Sequence, residues 1–216
     1  MTALKRTVSW LCLLTVLSRS CQSQILNKNC VSEVFLDHVS AVLQVALECN
    51  VSQSPTWSSQ QKAELLVHLR NVMAVMQTHQ LSECIGAEPV QCPEPEVPKN
   101  GGLACVTLSN RRYCKPLCNH GYDFAFLRTS RPFEECSEET GYKWKTQYVG
   151  GNTLALCNEA SIQVAGANTA YFPKDQDCLT TKTSNHSRSD IIQDFTEELR
   201  NLDLEGDAQS VCLVCG

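Results

Sequence analysis

The 14 cysteines in this chain of 216 residues constrain its fold more than any other feature, and the N-terminus decides how they are read. Lys5 and Arg6 precede an apolar run from Val8 to Leu17, and small residues then lead to Cys21-Gln22-Ser23. This is the layout of a secretory signal peptide, residues 1–23, cleaved after Ser23. The run is shorter than the about 20 apolar residues of a spanning helix, and no second such stretch follows. The expected mature protein is secreted and extracellular, with no membrane insertion. Cys12 and Cys21 leave with the signal peptide, so the remaining cysteines form an even set. In an oxidising compartment such a set reads as a disulfide scaffold rather than as zinc ligands, each bridge contributing about 2–4 kcal/mol. Asn50-Val51-Ser52 and Asn185-His186-Ser187 are N-glycosylation acceptors in that setting.

The cysteines beyond the signal peptide fall into three groups. Cys30, Cys49 and Cys84 lie in an N-terminal segment, six run from Cys92 to Cys157, and Cys178, Cys212 and Cys215 lie in the tail. The middle group opens at Cys92-Pro93 and reaches Asn100-Gly101. It passes Cys118-Asn119-His120-Gly121-Tyr122, Cys136 and Thr140-Gly141-Tyr142-Lys143-Trp144, then closes at Cys157. This order resembles the sushi, or complement control protein, module over residues 92–157. The resemblance implies a small secreted β-domain that is held by disulfides and presents surface to another molecule. It implies bonds from Cys92 to Cys136 and from Cys118 to Cys157. Cys105 and Cys114 are then an extra pair whose spacing suits a small hairpin loop. Asn100-Gly101 suits a turn with positive φ and Gly121 a close turn, while Tyr122 and Trp144 supply buried area beside the bridges.

If the middle six pair among themselves, the three cysteines on either side cannot all pair within their own groups. Either a bridge joins the N-terminal segment to the tail, or each group keeps a free or intermolecular cysteine. Exposed free thiols are hazards outside the cell, which favours the bridge.

The flanks have helical periodicity. Val34, Phe35, Val39, Val42, Leu43, Ala46 and Leu47 repeat at helical spacing from Ser32 to Cys49. Pro55 breaks the pattern, and Ser58 with Gln61 forms a capping-box signature for a helix running to about Gln80. Its stripe is Leu65, Leu66, Leu69, Val72, Met73 and Met76. In the tail, Ile191, Ile192, Phe195, Leu199 and Leu202 repeat after Ser189 and Asp190 as caps, with Gly206 as a stop. Such stripes in small domains mostly pack on one another.

Pro89, Pro93, Pro95 and Pro98 mark a boundary, and beyond it 103–108, 122–127, 142–148 and 153–156 read as short strands. The expected fold is α+β: a small disulfide-rich, sushi-like β module flanked by an N-terminal helical hairpin and a C-terminal helix. The parts are the signal peptide 1–23, a helical cysteine-containing segment 24–88, a proline-rich linker 89–98, the module 92–157 and a tail 158–216.

A net charge of −5 argues against nucleic acid. Arg111, Arg112 and Lys115 cluster beside the extra cysteine pair, and Arg128, Arg131, Lys143 and Lys145 add positive charge. Clustered cations attract a sulfated glycan, although a mixed-charge solvated face accounts for them more simply. No GxSxG, HExxH or phosphate-cradling glycine loop occurs, and His38, His68 and His79 lack companions for ligation. No catalytic, cofactor or metal residue is therefore assigned. Cys212-Leu213-Val214-Cys215 has the spacing of thiol oxidoreductases, but such thiols open a helix, and here one residue follows. The expected function is non-enzymatic binding of an extracellular or cell-surface protein. The alternative is a secreted signalling factor whose disulfide-tied helices contact a receptor.

Overall fold

Two eight-residue strands form the axis of the computed structural model, which describes residues 33–48, 57–145 and 150–216. β1 (Gly101–Leu108) and β2 (Arg111–Cys118) are antiparallel and joined by Ser109-Asn110, with φ of 48° and 60°. Two successive positive φ values match the twist of the strands, and asparagine tolerates that region. Short β4 (Glu134–Cys136) pairs with β2, and β6 (Ala208–Cys215) pairs with β1, giving the order β4-β2-β1-β6. β3 (Tyr122–Phe124) and β5 (Cys157–Glu159) make a separate two-stranded ribbon.

Every residue of β1 is buried, so both faces of the sheet are covered. Period-two alternation sends Ala104, Val106 and Leu108 to one face, with Tyr113, Leu117 and Leu213 from the neighbouring strands. That face packs on Phe195 and Leu199 of α4 (Asn185–Arg200). Leu103 and Cys105 go to the other face, with Cys114, Cys212, Val214 and Trp144. Trp144 is buried there, and its indole N–H donates to the Pro93 carbonyl at 2.8 Å.

Glycine is required where backbones meet. A Cβ on Gly102 would lie 2.6 Å from Cys178 Sγ and 2.8 Å from the Val214 carbonyl oxygen. We expect Gly102→Ala to cost about 1–3 kcal/mol through overpacking, read as a lower denaturation midpoint at unchanged slope. At Asn100-Gly101 the two roles divide: Asn100 carries the positive φ of 59°, while Gly101 leaves room for the Leu117 backbone.

Five bridges join these elements, and each cysteine of the described residues is in one. Cys92–Cys136, Cys118–Cys157 and Cys105–Cys114 lie within residues 92–157. Cys84–Cys212 joins a 3₁₀ turn (Ser82–Cys84) to β6, and Cys178–Cys215 joins the start of α3 (Cys178–Thr183) to the same strand. Cys30 and Cys49 lie outside the described residues.

The chain divides into two compact units between Val67 and His68. The first holds α1 (Glu33–Glu48) and the start of α2 (Ser59–Leu81). The capping box is present: the Gln61 N–H donates to Ser58 Oγ at 3.2 Å, and the Ser58 N–H donates to Gln61 Oε1 at 2.9 Å. Burial of the apolar stripes is the expectation that fails. α2 has no buried residue, and Leu65, Leu66, Val72, Met73 and Met76 are exposed, as are Val42, Leu43 and Leu47 of α1. In the second unit the sheet takes its apolar cover from α4 instead, and Phe195 and Leu199 fill that face.

The tail differs in detail from expectation. α4 begins at Asn185, capped by Ser184, whose hydroxyl accepts from the Ser187 N–H at 3.3 Å, rather than by Ser189 or Asp190. It is closed by Asp203, with φ of 59°, rather than by Gly206. The Leu204 N–H reaches the Leu199 carbonyl at 3.1 Å, and the Asp203 N–H reaches that of Arg200 at 3.0 Å, a Schellman motif. The strand expected over 122–127 stops at Phe124, and residues 142–145 form none. Residues 146–149 lie outside the described part. Thr153 makes only isolated bridges, and the strand begins at Cys157.

Candidate functional site

Three of the seven cations expected on a solvated face, Arg112, Lys115 and Arg128, are inside the protein. Arg111, the first residue of β2, is half-exposed and pairs with Glu139 and Glu135, while Arg112 and the rest of the strand are buried. Arg112 Nη1 and Nη2 donate to the Glu94 carboxylate at 3.0 and 2.8 Å, and Nη2 also donates to the Cys84 carbonyl at 3.0 Å. The Lys115 ammonium donates to both Glu198 oxygens at 2.6 Å and to Thr169 Oγ1 at 2.9 Å, above the Phe195 ring. Burial holds the Lys115 amine below its ordinary value against the upward pull of Glu198. Arg128 is buried beside Glu134, which also accepts from Arg131. Arg112, Lys115 and Arg128 are thus committed to internal partners, and Lys143 and Lys145 remain exposed.

Cys212 and Cys215 point to opposite faces of β6, Cys212 into the cluster with Trp144 and Cys215 into the cluster with Phe195. Residues three apart on a strand must do so. Each bonds a distant cysteine, not the other. Of the glycosylation acceptors, Asn185 is exposed at the first turn of α4, and Asn50 lies outside the described residues.

Among the described residues, one exposed apolar surface on ordered loops surrounds the small ribbon. Leu127, Ile162 and Val164 are 70%, 68% and 67% exposed, with Leu156 and Phe126 partly so. Backbone bonds join the segments that carry them: the Ala125 N–H donates to the Leu156 carbonyl at 3.0 Å, and that of Arg128 to the Ala165 carbonyl at 2.6 Å. The 162–165 segment is fastened from below by Asp123. Its carboxylate accepts from the N–H groups of Val164 at 2.9 Å, Ala165 at 3.1 Å and Phe124 at 2.8 Å, and from the Tyr171 hydroxyl at 2.5 Å. The Gln163 amide donates to the carbonyls of Asn119 and Tyr122. Apolar side chains are thus held outward on a fixed loop, where sequence periodicity gives no signal.

Burial raises the Asp123 carboxyl, but the Tyr171 hydroxyl and three backbone N–H groups outweigh it and hold it below the usual carboxylate range. Burial and the Asp123 bond push the Tyr171 phenol up to about 12. A depressed carboxylate stabilises the fold above its unfolded value and loses that contribution as pH falls through the folded one. We expect stability to drop below about pH 4 in the native protein. Asp123→Asn should cost about 1.5–3 kcal/mol at neutral pH and remove that part of the acid dependence, read by thermal unfolding at stepped pH.

A second exposed apolar surface lies where α2 approaches α3. Met73, Val75, Met76 and Leu179 line an open groove of 600 Å³ with Gln77, His79 and Gln80. The helix end is tied down by polar groups. Gln77 Nε2 donates to the Cys215 carbonyl at 2.6 Å, Gln80 binds the same carbonyl and accepts the Cys215 N–H at 3.0 Å, and Lys182 donates to Glu83 at 2.7 Å. Gln80 thereby occupies backbone groups at the open edge of β6.

Comparison of the chain with protein-family models, with curated proteins and with solved structures finds no match in any of the three. No described helix is long and apolar enough to cross a membrane.

Proposed function

We propose that this chain is a secreted, non-enzymatic protein that binds an extracellular or cell-surface protein through the loops of its disulfide-held β module. The observation that carries this reading is the outward apolar trio Leu127, Ile162 and Val164: Ile162 and Val164 sit on a loop fixed by Asp123, and Leu127 precedes Arg128, whose N–H bonds that loop at the Ala165 carbonyl. Exposed apolar groups on a rigid frame suit contact with another protein, and fixing the loop beforehand lowers the ordering cost of binding. An apolar protein surface fits this trio better than a polyanion does, because Arg112, Lys115 and Arg128 are already paired internally. The likeness of residues 92–157 to the sushi module points the same way, since such modules present loops on a disulfide frame. In this reading segment 24–88 and the helices α3 and α4 act as helical flanks, the 162–165 loop and β6 complete the β frame, and the signal peptide and glycosylation at Asn50 and Asn185 belong with it.

A second reading is supported by the exposed stripe of α2. Val72, Met73 and Met76 sit on a helix with no buried residue, where Arg70 is the one charged residue between Leu65 and Leu81. In that reading the protein is a signalling factor whose helix enters an apolar receptor groove, for which methionines are adaptable.

Saturable binding of labelled secreted protein to intact cells tests both readings. We expect Leu127→Glu/Ile162→Glu/Val164→Glu to abolish binding while Val72→Glu/Met73→Glu/Met76→Glu keeps it. The reverse pattern transfers the contact to the helix, and a failure of both sets to weaken binding contradicts both readings.

A further inference from the structure

We propose that Cys84, Cys105, Cys114 and Cys212 form a disulfide-exchange centre with two pairings: the observed one, and one in which Cys105 bonds Cys212. β1 lies between β2 and β6, and Cys105 has a register partner on each side, Cys114 on β2 and Cys212 on β6. All four cysteines belong to the same buried cluster on one side of the sheet. The sulfurs of Cys84, Cys105 and Cys212 lie within 4.8 Å of one another, so a third sulfur stands beside the Cys84–Cys212 bond. Opposed residues in antiparallel strands have Cα atoms about 4.5–5.5 Å apart, inside the about 4.4–6.8 Å usual for a disulfide. The backbone that holds Cys105 to Cys114 therefore also presents Cys105 to Cys212.

The exchange needs a dithiol reductant to begin, and two entry routes converge. If the reductant opens Cys105–Cys114, it is oxidised to its own disulfide and leaves two thiols. The Cys105 thiolate then attacks Cys212 Sγ. The Cys105–Cys212 bond forms, the Cys84–Cys212 bond breaks, and Cys84 leaves as a thiolate that takes up a proton. If the reductant opens Cys84–Cys212 first, the Cys212 thiolate attacks Cys105 Sγ and expels Cys114. Both routes end with Cys105 bonded to Cys212 and with thiols at Cys84 and Cys114.

The second pairing keeps a covalent link across the sheet while removing the covalent tie of the 3₁₀ turn that follows α2, whose remaining ties include the hydrogen bonds of Gln77, Gln80 and Arg112. In the observed pairing Cys84–Cys212 is the bond that ties this turn to β6. The bridges Cys92–Cys136, Cys118–Cys157 and Cys178–Cys215 take no part. The centre is thus a redox-sensitive latch on the helix end, built from strand register.

Cys114→Ala tests the exchange without any reductant, because it leaves the Cys105 thiol beside the Cys84–Cys212 bond. We expect acid-quenched alkylation and peptide mapping to find label divided between Cys105 and Cys84, together with a Cys105–Cys212 peptide. Label on Cys105 alone overturns the proposal. Limited reduction of the unmutated chain with dithiothreitol reads the same rearrangement should the variant not fold. The species carrying two labels should then have them on Cys84 and Cys114. Labels on Cys105 with Cys114, or on Cys84 with Cys212, overturn it.

Discussion

Replacing Glu134 with alanine is expected to destabilise the protein by about 3–5 kcal/mol, a large part of the stability of an ordinary domain. The Glu134 side chain is fully buried and accepts from Arg128 Nη2 at 3.2 Å and from Arg131 Nε and Nη2 at 3.0 and 2.6 Å. Burial pushes its carboxyl up against the opposing pull of the two arginines. Truncation leaves the enclosed Arg128 guanidinium without its carboxylate, retaining the Leu154 carbonyl at 2.9 Å. The cost comes from that stranded charge, so Glu134→Gln, which keeps an acceptor of the same size, should cost less. Glu138 is exposed in the next turn, and Glu138→Ala should stay within about 0.5 kcal/mol. Denaturant midpoints of the three variants check this, and a Glu134→Ala loss no larger than that of Glu138→Ala contradicts it.

Removal of the Cys118–Cys157 bridge by paired alanine substitution is expected to cost about 2–5 kcal/mol. The bridge spans 39 residues and joins the end of β2 to β5. With only three residues in each strand, the β3–β5 ribbon has little pairing of its own. The loss should therefore be local first: amide exchange in 122–124 and 157–165 should accelerate while β1 and its neighbours stay protected. If Leu127, Ile162 and Val164 form the contact proposed above, the same variant should lose cell binding, because the ribbon lies beside their loops. Uniform acceleration across β1, β2 and β6 is the contrary result.

Local signals in the sequence were readable where the interaction itself is local. Ser58 and Gln61 sit three residues apart and cap each other, and Asn100 takes the left-handed turn within its own backbone. The counting of cysteines on either side of the central six also needed no geometry. Burial of Arg112 and Lys115 could not be read this way, because their partners Glu94 and Glu198 are 18 and 83 residues distant. A stretch such as Arg-Arg-Tyr-Cys-Lys looks like a charged loop until both faces of the strand are known to be covered. β6 was hidden for a related reason. Its Cys-Leu-Val-Cys spacing suggested redox chemistry, whereas the same residues alternate between two cores once they lie beside β1. The exposed loop residues Ile162 and Val164 carry no periodicity, and only their hydrogen-bonded frame distinguishes them from an ordinary loop.

The tail strand beside β1 places the C-terminal end of the second unit on the central sheet, and the proposed exchange centre depends on that frame. Peptide mapping of the purified native protein, digested without reduction and with thiols blocked, tests it most directly. Cys84 joined to Cys212 and Cys178 joined to Cys215 is the predicted result. A peptide in which Cys212 is bonded to Cys215 would contradict it.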